Sequence, residues 1–576
     1  MQEKALTDFI SSGALHKGRM LSEDEIALLK GEGVTFAVEG YITVGGNDVV
    51  LRVGVDDLFP QSLPKVYLND PDMLGFMPHV GPGGSICYAD TEGIILNTEY
   101  PVSLLNDAVT CAAQVLEEGI TGTNRVDFMD EFMVYWGRLS PSKLILSFVR
   151  PEERVRRVYA YYDSDGNCSW IAADDSSVCS FFNYDLSPMK SLTQRSAIYI
   201  PLEKAAPITP PEPDKQWTID EVRGIVKSNV SDQNLREMQR LCKKAKIEEL
   251  VVLGLPRSSG EFTLVGLLFH QVTGGHPLIG GTAKDPPEPV LILRCDPQYL
   301  WPRGGGDVNL STVNVMVVGC GSVGGHIALA LARTGIGKLT LVDYDKMELE
   351  NIFRHILGRD GLGAFKTKAL KAQIERKYPF VEVSTCEQDI RQIVNCELTK
   401  LNMFDLVLFA TGNPTTELHF NKLLHGMEKG PLALFSWVEP YGIGGHAFLT
   451  RPGTSGCLQC LYEPADDRQA ALHSRVCFAE PGRSFGKDDL GCGSRYTPYS
   501  GLDAERTAGM TVRLALDGLN GREQGNPLIS WKGSKDSLEA AGFETSYRYG
   551  QSLDQMHDRR YEYVRSDCPV CGDSIR

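Results

Sequence analysis

The pattern of apolar and polar positions gives the first outline of the N-terminal part of the chain. Apolar residues at helical spacing, Leu6, Phe9 and Ile10 among them, predict a largely helical segment over residues 3–32. The runs TFAVEGYITV, DVVLRVGV and PKVYLND then alternate apolar and polar residues, as antiparallel strands do. A further helix is predicted near SLLNDAVTCAAQVLEEG.

The rest of the chain is also a succession of strands and helices. Residues 141–300 contain strand-like runs such as LILSFV, RVYAYY, SAIYIPL, ELVVLGL and PVLILRC, and TPPEPDKQW resembles a linker. From Asn314 onward, strand and helix units alternate: NVMVVGCGSVGG, IALALARTG, KLTLVDYD, KTKALKAQIERKYP, VEVSTCEQDI and FDLVLFATGN. This alternation predicts a parallel, doubly wound sheet, and therefore an α/β multidomain protein.

Composition narrows the functional classes. A chain of 576 residues is too long for one core, so three or four domains are expected. The formal net charge of −16 disfavours direct binding of nucleic acid or of an anionic membrane. Neither a signal peptide nor an apolar membrane span is evident, which favours a cytoplasmic protein with no membrane partner. Its 15 cysteines are then expected to be reduced thiols or metal ligands.

A glycine motif lies where a strand runs into a helix. Gly319, Gly321 and Gly324 form G-x-G-x-x-G, which lets backbone N–H groups and a helix N-terminus approach a phosphate. Asp343 ends the next strand, about twenty residues on, where a carboxylate can bind a ribose hydroxyl. The motif alone fits an NAD-dependent dehydrogenase as well as an ATP-dependent enzyme.

The residues that follow favour ATP. Asn351, Arg354 and Lys366 form a group suited to neutralising a triphosphate under attack. A dehydrogenase would leave these cations unexplained. The alternative is that Arg354 and Lys366 are solvated helix charges.

The run from VVGCGSVGG to FKTKAL resembles the adenylation core of ubiquitin-activating enzymes and of their bacterial relatives in thiamine and molybdopterin synthesis. The resemblance implies that ATP is a substrate. It implies that Asp343 holds the ribose and that Asn351, Arg354 and Lys366 contact the phosphates, with Lys368 as the alternative to Lys366.

One motif departs from that family. Its members usually have Thr-Asp-Asn after the third strand, with an aspartate that helps to hold Mg²⁺, whereas this chain has Thr411-Gly412-Asn413. The magnesium ligand is then unassigned, and Asp345 is the substitute. Loss of adenylation activity is the lesser alternative.

Two pairs of cysteines have the spacing of metal ligands. Cys457 with Cys460, and Cys568 with Cys571, form two CxxC motifs that together supply four thiolates for a structural Zn²⁺. The adenylating family shows the same separation, with the metal attaching the C-terminal tail to the core. The alternative is a pair of unrelated, redox-active motifs.

Thioester-forming members of the family carry a reactive cysteine after the first CxxC. Cys492 matches that pattern better than Cys477, because a Thr-Pro and a helix rich in small residues follow it. A position near a helix N-terminus and Arg495 is expected to lower the pKa of the thiol. Cys477 lies between Val476 and Phe478, which favours burial.

A second thioester site is predicted near the N-terminus. FPQSLPKVYLNDPDMLGFMPHVGPGGSICYAD resembles ubiquitin-conjugating enzymes, with His79 at the histidine of their His-Pro-Asn turn and Cys87 at the catalytic cysteine. Pro78 precedes the histidine and Val80 follows it, so the asparagine that stabilises the oxyanion is missing. Backbone N–H groups near Cys87 would replace it. The alternative is a packed cysteine in an inactive domain.

Together the two resemblances imply a relay. A partner's C-terminal carboxylate is adenylated, and its acyl group is transferred to Cys492, then to Cys87, and finally to a target lysine. Both thiols are expected to have a lowered pKa. The order of domains is similar to that of the bacterial CBASS antiphage family of CD-NTase-associated proteins, which join the C-terminus of a cGAS-like nucleotidyltransferase to cellular targets.

The predicted architecture follows from that family. It comprises a ubiquitin-conjugating-like domain at residues 1–140, a middle linker or inactive adenylation-like domain at 141–305, and a ubiquitin-activating-like adenylation domain at 306–576. The implied cofactors are ATP, Mg²⁺ and Zn²⁺, and the implied assembly is a homodimer. Two functional alternatives stay open: a sulfur-carrier adenylyltransferase that does not conjugate lysine, and a non-catalytic scaffold.

Overall fold

The computed structural model describes residues 2–29, 33–90, 92–139, 144–182, 187–203, 207–244, 246–394, 398–464, 471–488 and 495–572. The chain forms two compact units: Met1–Asp174 with Ser191–Arg294, and Asp175–Lys190 with Cys295–Arg576. In the described part of the chain, no helix combines the length and apolar character that a membrane crossing requires.

The first unit begins with a five-stranded antiparallel sheet in the order β1-β2-β3-β4-β5. The strands are β1 (His16–Met20), β2 (Phe36–Val44), β3 (Asn47–Val55), β4 (Lys65–Leu68) and β5 (Ser85–Ile86). The accompanying helices are α1 (Gln2–Ser11), α2 (Glu23–Ala27), α3 (Pro101–Thr121), α4 (Asp127–Asp130) and α5 (Phe132–Leu139).

The predicted helix over residues 3–32 is interrupted by β1. Glycine is a poor helix former, and Gly13 ends the first helical segment with a φ of +79°. The next residues pair with β2 instead, with Arg19 opposite Glu39. The apolar face of α1 still reaches the core, since Leu6 and Phe9 are fully buried against the sheet and α3.

A closed barrel of seven strands follows in the same unit, in the order β10-β11-β12-β6-β8-β7-β9. Its strands are β6 (Leu144–Ser147), β7 (Arg156–Tyr162), β8 (Cys168–Ala172), β9 (Thr193–Pro201), β10 (Glu249–Pro256), β11 (Phe262–Phe269) and β12 (Glu288–Arg294). Between β8 and β9 lies α6 (Asp175–Phe181), which belongs to the second unit. The helices α7 (Ile219–Asn229) and α8 (Asp232–Leu241) precede β10.

The barrel explains why the middle region shows strand patterns without a nucleotide motif. Strand β10 is buried along its whole length because both of its faces are covered. Leu250 and Val252 point to the interior cluster, whereas Val251 and Leu253 pack in the outer cluster that includes α7. The sheet is therefore a closed barrel, and not the parallel, doubly wound sheet of an adenylation domain.

The second unit is built on a seven-stranded sheet in the order β15-β14-β13-β16-β17-β18-β21, with a separate pair β19-β20. Its strands are β13 (Asn314–Val318), β14 (Lys338–Val342), β15 (Glu382–Cys386), β16 (Leu406–Phe409), β17 (Leu432–Val438), β18 (Gly444–Thr450), β19 (Lys487–Asp488), β20 (Arg495–Tyr496) and β21 (Leu528–Lys532). Its helices are α9 (Pro297–Arg303), α10 (Ser322–Leu331), α11 (Lys366–Lys377), α12 (Ile390–Val394), α13 (Pro414–His425), α14 (Gly501–Leu519), α15 (Asp536–Ala540) and α16 (Leu553–Asp558).

The predicted parallel, doubly wound sheet is present in this unit. Strands β15, β14, β13, β16 and β17 pair in parallel, and β18 and β21 add antiparallel strands at one edge. Val315 and Val317 pack with α10, α11 and α14 on one face, whereas Met316 and Val318 pack on the face that carries α13 and the CxxC motifs. The carboxyl ends of β13, β14 and β16 therefore share one edge, where ligands bind in such sheets.

Candidate functional site

The glycine turn lies at that edge, between β13 and α10. Gly319 has a φ of +86°, and a Cβ atom there would lie 2.5 Å from the carbonyl oxygen of Ala410. A Cβ on Gly324 would lie 1.8 Å from the carbonyl oxygen of Gly319. Gly321 precedes the first residue of α10, so the N–H groups at the start of this helix face the turn.

Asp343 is fixed immediately beside the turn. Its two carboxylate oxygens accept the backbone N–H groups of Cys320 at 2.7 Å and of Asp345 at 2.8 Å. Burial raises the pKa of this carboxyl. Each oxygen retains a lone pair, so the carboxylate can still accept a ribose hydroxyl.

Lys366 and Asp345 form an ion pair at the same edge. Lys366 is only 8% exposed, and its Nζ lies 3.0 Å from Oδ2 of Asp345. Lys368 projects into solvent instead, with its Nζ 3.7 Å from a carboxylate oxygen of Glu387. The geometry favours Lys366 over Lys368 as the lysine of the phosphate site.

The other two predicted phosphate contacts lie in the loop before α11. The side-chain oxygen of Asn351 is already hydrogen-bonded within the loop, because its Oδ1 accepts the backbone N–H of Glu348 at 3.2 Å. Arg354 stacks on the ring of Tyr499, 5.5 Å from the ring centroid, and the Tyr499 hydroxyl lies 2.6 Å from Oγ of Ser322 at the start of α10. The sequence did not indicate Tyr499, which connects the guanidinium to the helix.

His355 joins the same loop to the glycine turn. Its Nε2 donates to the carbonyl oxygen of Cys320 at 2.7 Å, and its Nδ1 accepts the N–H of Leu357 at 3.2 Å. Burial lowers the pKa of His355 to about 4, so the ring is neutral and keeps this tautomer at physiological pH. The histidine is therefore a positioning residue that the sequence did not indicate.

A cavity of about 100 Å³ lies over the carboxyl ends of these strands. Of the predicted residues, Gly319, Asp343 and Asp345 line it, and Asp389 and Arg391 close it at the start of α12. Asn351, Arg354 and Lys366 lie outside its lining.

The Thr411–Asn413 turn also borders this cavity. Its backbone conformation explains why glycine stands where related sequences have the aspartate of Thr-Asp-Asn. Gly412 adopts a φ of +66°, and Oγ1 of Thr411 donates to the buried Glu417 at 2.7 Å. Burial raises the pKa of Glu417 to about 7. Asn413 caps α13 through the N–H of Thr416. The turn offers no carboxylate, which leaves Asp345 as the candidate magnesium ligand.

A second, larger cavity of about 570 Å³ meets the same turn at Gly412. Trp437, Tyr462, His473 and Cys477 are among the residues that line it. Its wall is held by Glu439, another residue that the sequence did not single out. This buried carboxylate accepts the N–H groups of Phe478 at 2.5 Å and Ala479 at 2.8 Å, and contacts Nε2 of His446 at 2.7 Å.

Of the two candidate activating cysteines, Cys477 belongs to the described part of the chain. Cys492 lies outside the described residues. Cys477 is half-buried, its Sγ donates to the carbonyl oxygen of Ser474 at 3.5 Å, and burial raises the pKa of its thiol to about 12. These properties are those of a packed cysteine.

The four cysteines of the CxxC motifs form one buried cluster. Their Sγ atoms all lie within 4.8 Å of one another, with Cys457 to Cys568 at 3.6 Å and Cys460 to Cys571 at 3.5 Å. A tetrahedral zinc ion with Zn–S bonds of about 2.3 Å needs sulfurs about 3.8 Å apart. The distances are far longer than a disulfide bond of about 2.05 Å. The donor set therefore fits zinc, and it would attach the C-terminal tail to the core.

Cys87 lies exposed at the end of β5 in the first unit. Its N–H donates to the carbonyl oxygen of His79 at 2.8 Å, and Gly84, with a φ of +77°, allows the preceding turn to approach Leu68. Burial, and then the negative charges of Glu131 and Asp90, raise the pKa of the Cys87 thiol. The prediction of a lowered pKa at this cysteine is therefore wrong, because nearby carboxylates oppose thiolate formation.

His79 is held by the two helices after α3. Nε2 lies 2.9 Å from Oδ2 of Asp127, and Nδ1 lies 2.9 Å from Oε1 of Glu131. Glu131 first, and then Asp127, raises the pKa of His79 to about 9 against an opposing effect of burial. Nε2 is hydrogen-bonded to Asp127, and Nδ1 faces Glu131 without hydrogen-bond geometry, so neither nitrogen is directed to replace the missing asparagine. Among the described residues, the backbone N–H groups of Tyr88 and Ala89 have no acceptor and are the free donors next to the thiol.

Two family models match the chain. Residues 14–145 match prokaryotic E2 family B, and residues 297–478 match the ThiF family. The first span covers the domain that carries Cys87, and the second covers the glycine turn and the first CxxC motif.

Individual proteins are similar over different shares of the chain. The ATP-dependent ubiquitin transferase-like protein Cap2 of Pseudomonas aeruginosa is 24% identical over 80% of this chain and 83% of its own length. The ubiquitin-like modifier-activating enzyme 5 of Dictyostelium discoideum is 32% identical over 27% of this chain and 42% of its own length. The structure of E. coli MccB with ATP has 20% identity and a TM-score of 0.32, and covers 46% of this chain and 67% of that one.

The described geometry, the two family matches and the similarity to Cap2 lead to one identification. The chain combines, in a single polypeptide, an N-terminal region similar to prokaryotic E2 family B with a C-terminal region similar to the ThiF family.

Proposed function

We propose that this protein activates the C-terminus of a partner protein with ATP and joins it to a lysine of a target through two cysteine thioesters. The class of enzyme follows from the ThiF match and the similarity to Cap2: the chain is an ATP-dependent enzyme of the ligase or transferase kind. The observation that carries the fuller proposal is the presence of an exposed thiol, Cys87, on an E2-family domain in the same chain as a ThiF nucleotide site.

The first step is adenylation at the edge of the doubly wound sheet. An oxygen of the partner's C-terminal carboxylate attacks the α-phosphorus of ATP, the bond to the β-phosphate oxygen breaks, and pyrophosphate leaves. Asp343 holds the ribose, and Arg354, Lys366 and the N–H groups at the start of α10 offset the phosphate charge. Asp345 would hold Mg²⁺, which neutralises phosphate oxygens when bound.

The larger cavity supports a protein C-terminus as the acyl donor. It meets the Thr411–Asn413 turn, whose Thr411 and Asn413 also line the smaller cavity with Asp343. A carboxyl-terminal peptide lying in it would therefore end beside the nucleotide. The apolar lining by Trp437 and Phe485 suits the extended backbone of such a peptide.

Two thioester exchanges follow in the proposal. The Cys492 thiolate attacks the acyl carbon and AMP leaves, then the Cys87 thiolate attacks the same carbon and the Cys492 thiolate leaves. A target lysine amine finally attacks the Cys87 thioester, loses a proton and releases the Cys87 thiolate. The N–H groups of Tyr88 and Ala89 would stabilise the oxyanion of this last step.

The nature of the partner is the finer part of the proposal. The order of domains resembles that of the CBASS family, and on that basis we propose that the activated protein is a cGAS-like nucleotidyltransferase encoded nearby, or another protein with a modifiable C-terminus. The cytoplasmic location and the homodimer stay predictions from the sequence.

Exchange of labelled pyrophosphate into ATP tests the first step. Wild-type protein with the partner and Mg²⁺ should exchange label, and Lys366→Ala should reduce the exchange by at least ~100-fold, as loss of a phosphate contact does in such sites. Absence of exchange in the wild type would favour the scaffold alternative.

Adenylation without conjugation is the second candidate, favoured by the raised pKa of Cys87 and the missing asparagine. It predicts pyrophosphate exchange without a thioester on Cys87. Non-reducing electrophoresis of the same reactions separates the two candidates.

A further inference from the structure

A basic cleft of about 540 Å³ lies on the barrel, between the end of α8 and strands β7 and β9. Five cations line it, and the only carboxylate in its lining is Glu249. The cations are Arg157, Arg240, Lys243, Lys244 and Lys246. The cleft is therefore positively charged although the whole chain carries a net charge of −16.

Most of this charge is not neutralised within the described structure. Arg157, Lys243 and Lys244 have no ion-pair partner among the described residues, whereas Arg240 pairs with Glu237 at 2.8 Å. Lys246 donates from Nζ to the hydroxyl of Ser196 at 2.8 Å. Surface lysines without partners are ordinary, so the charge alone does not define a site.

The decisive feature is a largely buried histidine side chain in the lining of the cleft. His276 is 3% exposed, and its Nδ1 accepts the N–H of Leu278 at 3.2 Å. Burial lowers the pKa of His276 to about 4, so the ring is neutral and its proton resides on Nε2. In the part of the chain that the structure describes, this N–H has no acceptor, and because His276 lines the cleft a ligand there can accept its hydrogen bond.

Of the other polar groups in the lining, one is an acceptor whose oxygen is already used and one is a free donor. Glu249 accepts the N–H of Lys246 at 2.7 Å, and the Ser196 hydroxyl accepts from Lys246 and keeps its own proton to give. A ligand that only accepts hydrogen bonds and carries several negative charges complements this set.

We propose that this cleft binds a small ligand with two or more phosphate groups, which accepts from Nε2–H of His276 and pairs with Lys243, Lys244 and Arg157. A volume of about 540 Å³ matches a molecule of nucleotide size. The site lies in the barrel, separate from the residues of the nucleotide site on the ThiF domain.

Calorimetric titration of the full chain with inorganic tripolyphosphate in ~150 mM salt tests the proposal, with salt near the physiological range. The test variant is Lys243→Gln/Lys244→Gln. The matched control is Lys227→Gln, an exposed lysine on α7 outside the cleft. Arg354→Gln reports binding at the ThiF nucleotide site. His276→Phe removes the Nε2–H donor while retaining an aromatic ring, and its melting curve shows whether it folds.

The expected result is a Kd at least ~10-fold weaker in the double variant and unchanged in Lys227→Gln, because two charged contacts to the ligand are lost. Binding that depends on Lys243 and Lys244 is retained in Arg354→Gln. The proposal is overturned if the wild type does not bind, or if only Arg354→Gln loses binding. A single-stranded RNA oligonucleotide forms a separate arm. Tighter binding of RNA than of tripolyphosphate, lost in the double variant, would overturn the assignment to a small ligand.

Discussion

At the scale of single residues, the groups around Cys87 determine how readily its thiol becomes a nucleophilic thiolate. The thiol is exposed, yet Glu131 and Asp90 add negative charge around it and the pKa is raised. A thiol in that setting is a poor nucleophile until a partner excludes or neutralises those charges. Its reactivity should therefore respond to partial burial first and to the two carboxylates in addition.

Glu131→Gln tests that electrostatic account. Removing the charge should lower the pKa of Cys87 and speed its alkylation by iodoacetamide at pH 8 by ~3-fold, an effect of under one pKa unit. Peptide mass spectrometry separates Cys87 from Cys111, the other exposed cysteine in the described part of the chain. Glu117→Gln, an exposed carboxylate on α3, is the matched control. Equal rates in wild type and Glu131→Gln would show that Glu131 does not set the reactivity.

His79 should make the stability of the E2-like domain depend on pH. Its folded pKa of about 9 lies above its ordinary value of 6.5, so its ion pairs stabilise fully below pH 6.5, and the contribution is lost as pH rises through 9. His79→Gln should cost about 1–2 kcal/mol at pH 6, after allowance for the partial exposure of the carboxylates, and little above pH 9.5.

Thermal unfolding of the full chain at pH 6, 8 and 9.5 measures this difference. His16→Gln, in the same domain, serves as the control. A cost of His79→Gln that does not change with pH would contradict the ion-pair account.

At the scale of elements, the turn between β13 and α10 depends on two glycines for different reasons. Gly324→Ala should destabilise the ThiF domain by ~3 kcal/mol or more, since its Cβ would lie 1.8 Å from the carbonyl oxygen of Gly319. Gly321→Ala should melt like the wild type, because its Cβ has open space and φ is −71°.

The two variants should differ in nucleotide binding as well. Gly321→Ala should bind ATP at least ~10-fold more weakly, because its methyl group occupies the approach to the N–H groups of α10. Melting curves and titration with a fluorescent ATP analogue measure both effects. Unweakened ATP binding by Gly321→Ala would place the phosphates away from this turn.

The C-terminal tail is an element whose position we attribute to zinc. Purified protein should contain one zinc per chain by elemental analysis. Cys571→Ser should lose it and melt at a lower temperature, because the tail then loses its attachment to the core. Cys111→Ser, outside the cluster, should retain the metal. A wild-type protein without zinc, whose four thiols react as two redox pairs, would contradict this assignment.

The sequence was sufficient for features set by local spacing. The glycine turn, the parallel strands after Asn314 and the CxxC pairs could be predicted because short-range patterns encode them. Glu439 and Tyr499 could not, since their partners include residues of distant segments that only the fold brings together. The same holds for Glu131 beside Cys87, which lies between α4 and α5, about 40 residues later in the chain.

At the scale of the whole molecule, the central feature is that activating and conjugating chemistry share one chain. A free activating enzyme must release its thioester to a separate carrier by diffusion. A fused carrier domain instead raises the local concentration of the acceptor thiol, to the millimolar range for short flexible linkers. Transfer between the two cysteines should therefore be faster within a chain than between two singly inactivated chains.

The direct test of the relay is a thioester assay on the full chain. The protein would be incubated with ATP, Mg²⁺ and a cGAS-like nucleotidyltransferase from the same genome, and the products separated with and without reducing agent. Wild type, Cys87→Ala and Cys492→Ala would be compared. The relay predicts a reducible adduct on Cys492 in Cys87→Ala and no adduct on Cys87 in Cys492→Ala. Loading of Cys87 in the Cys492→Ala variant, or pyrophosphate exchange with no adduct on either cysteine, would contradict it.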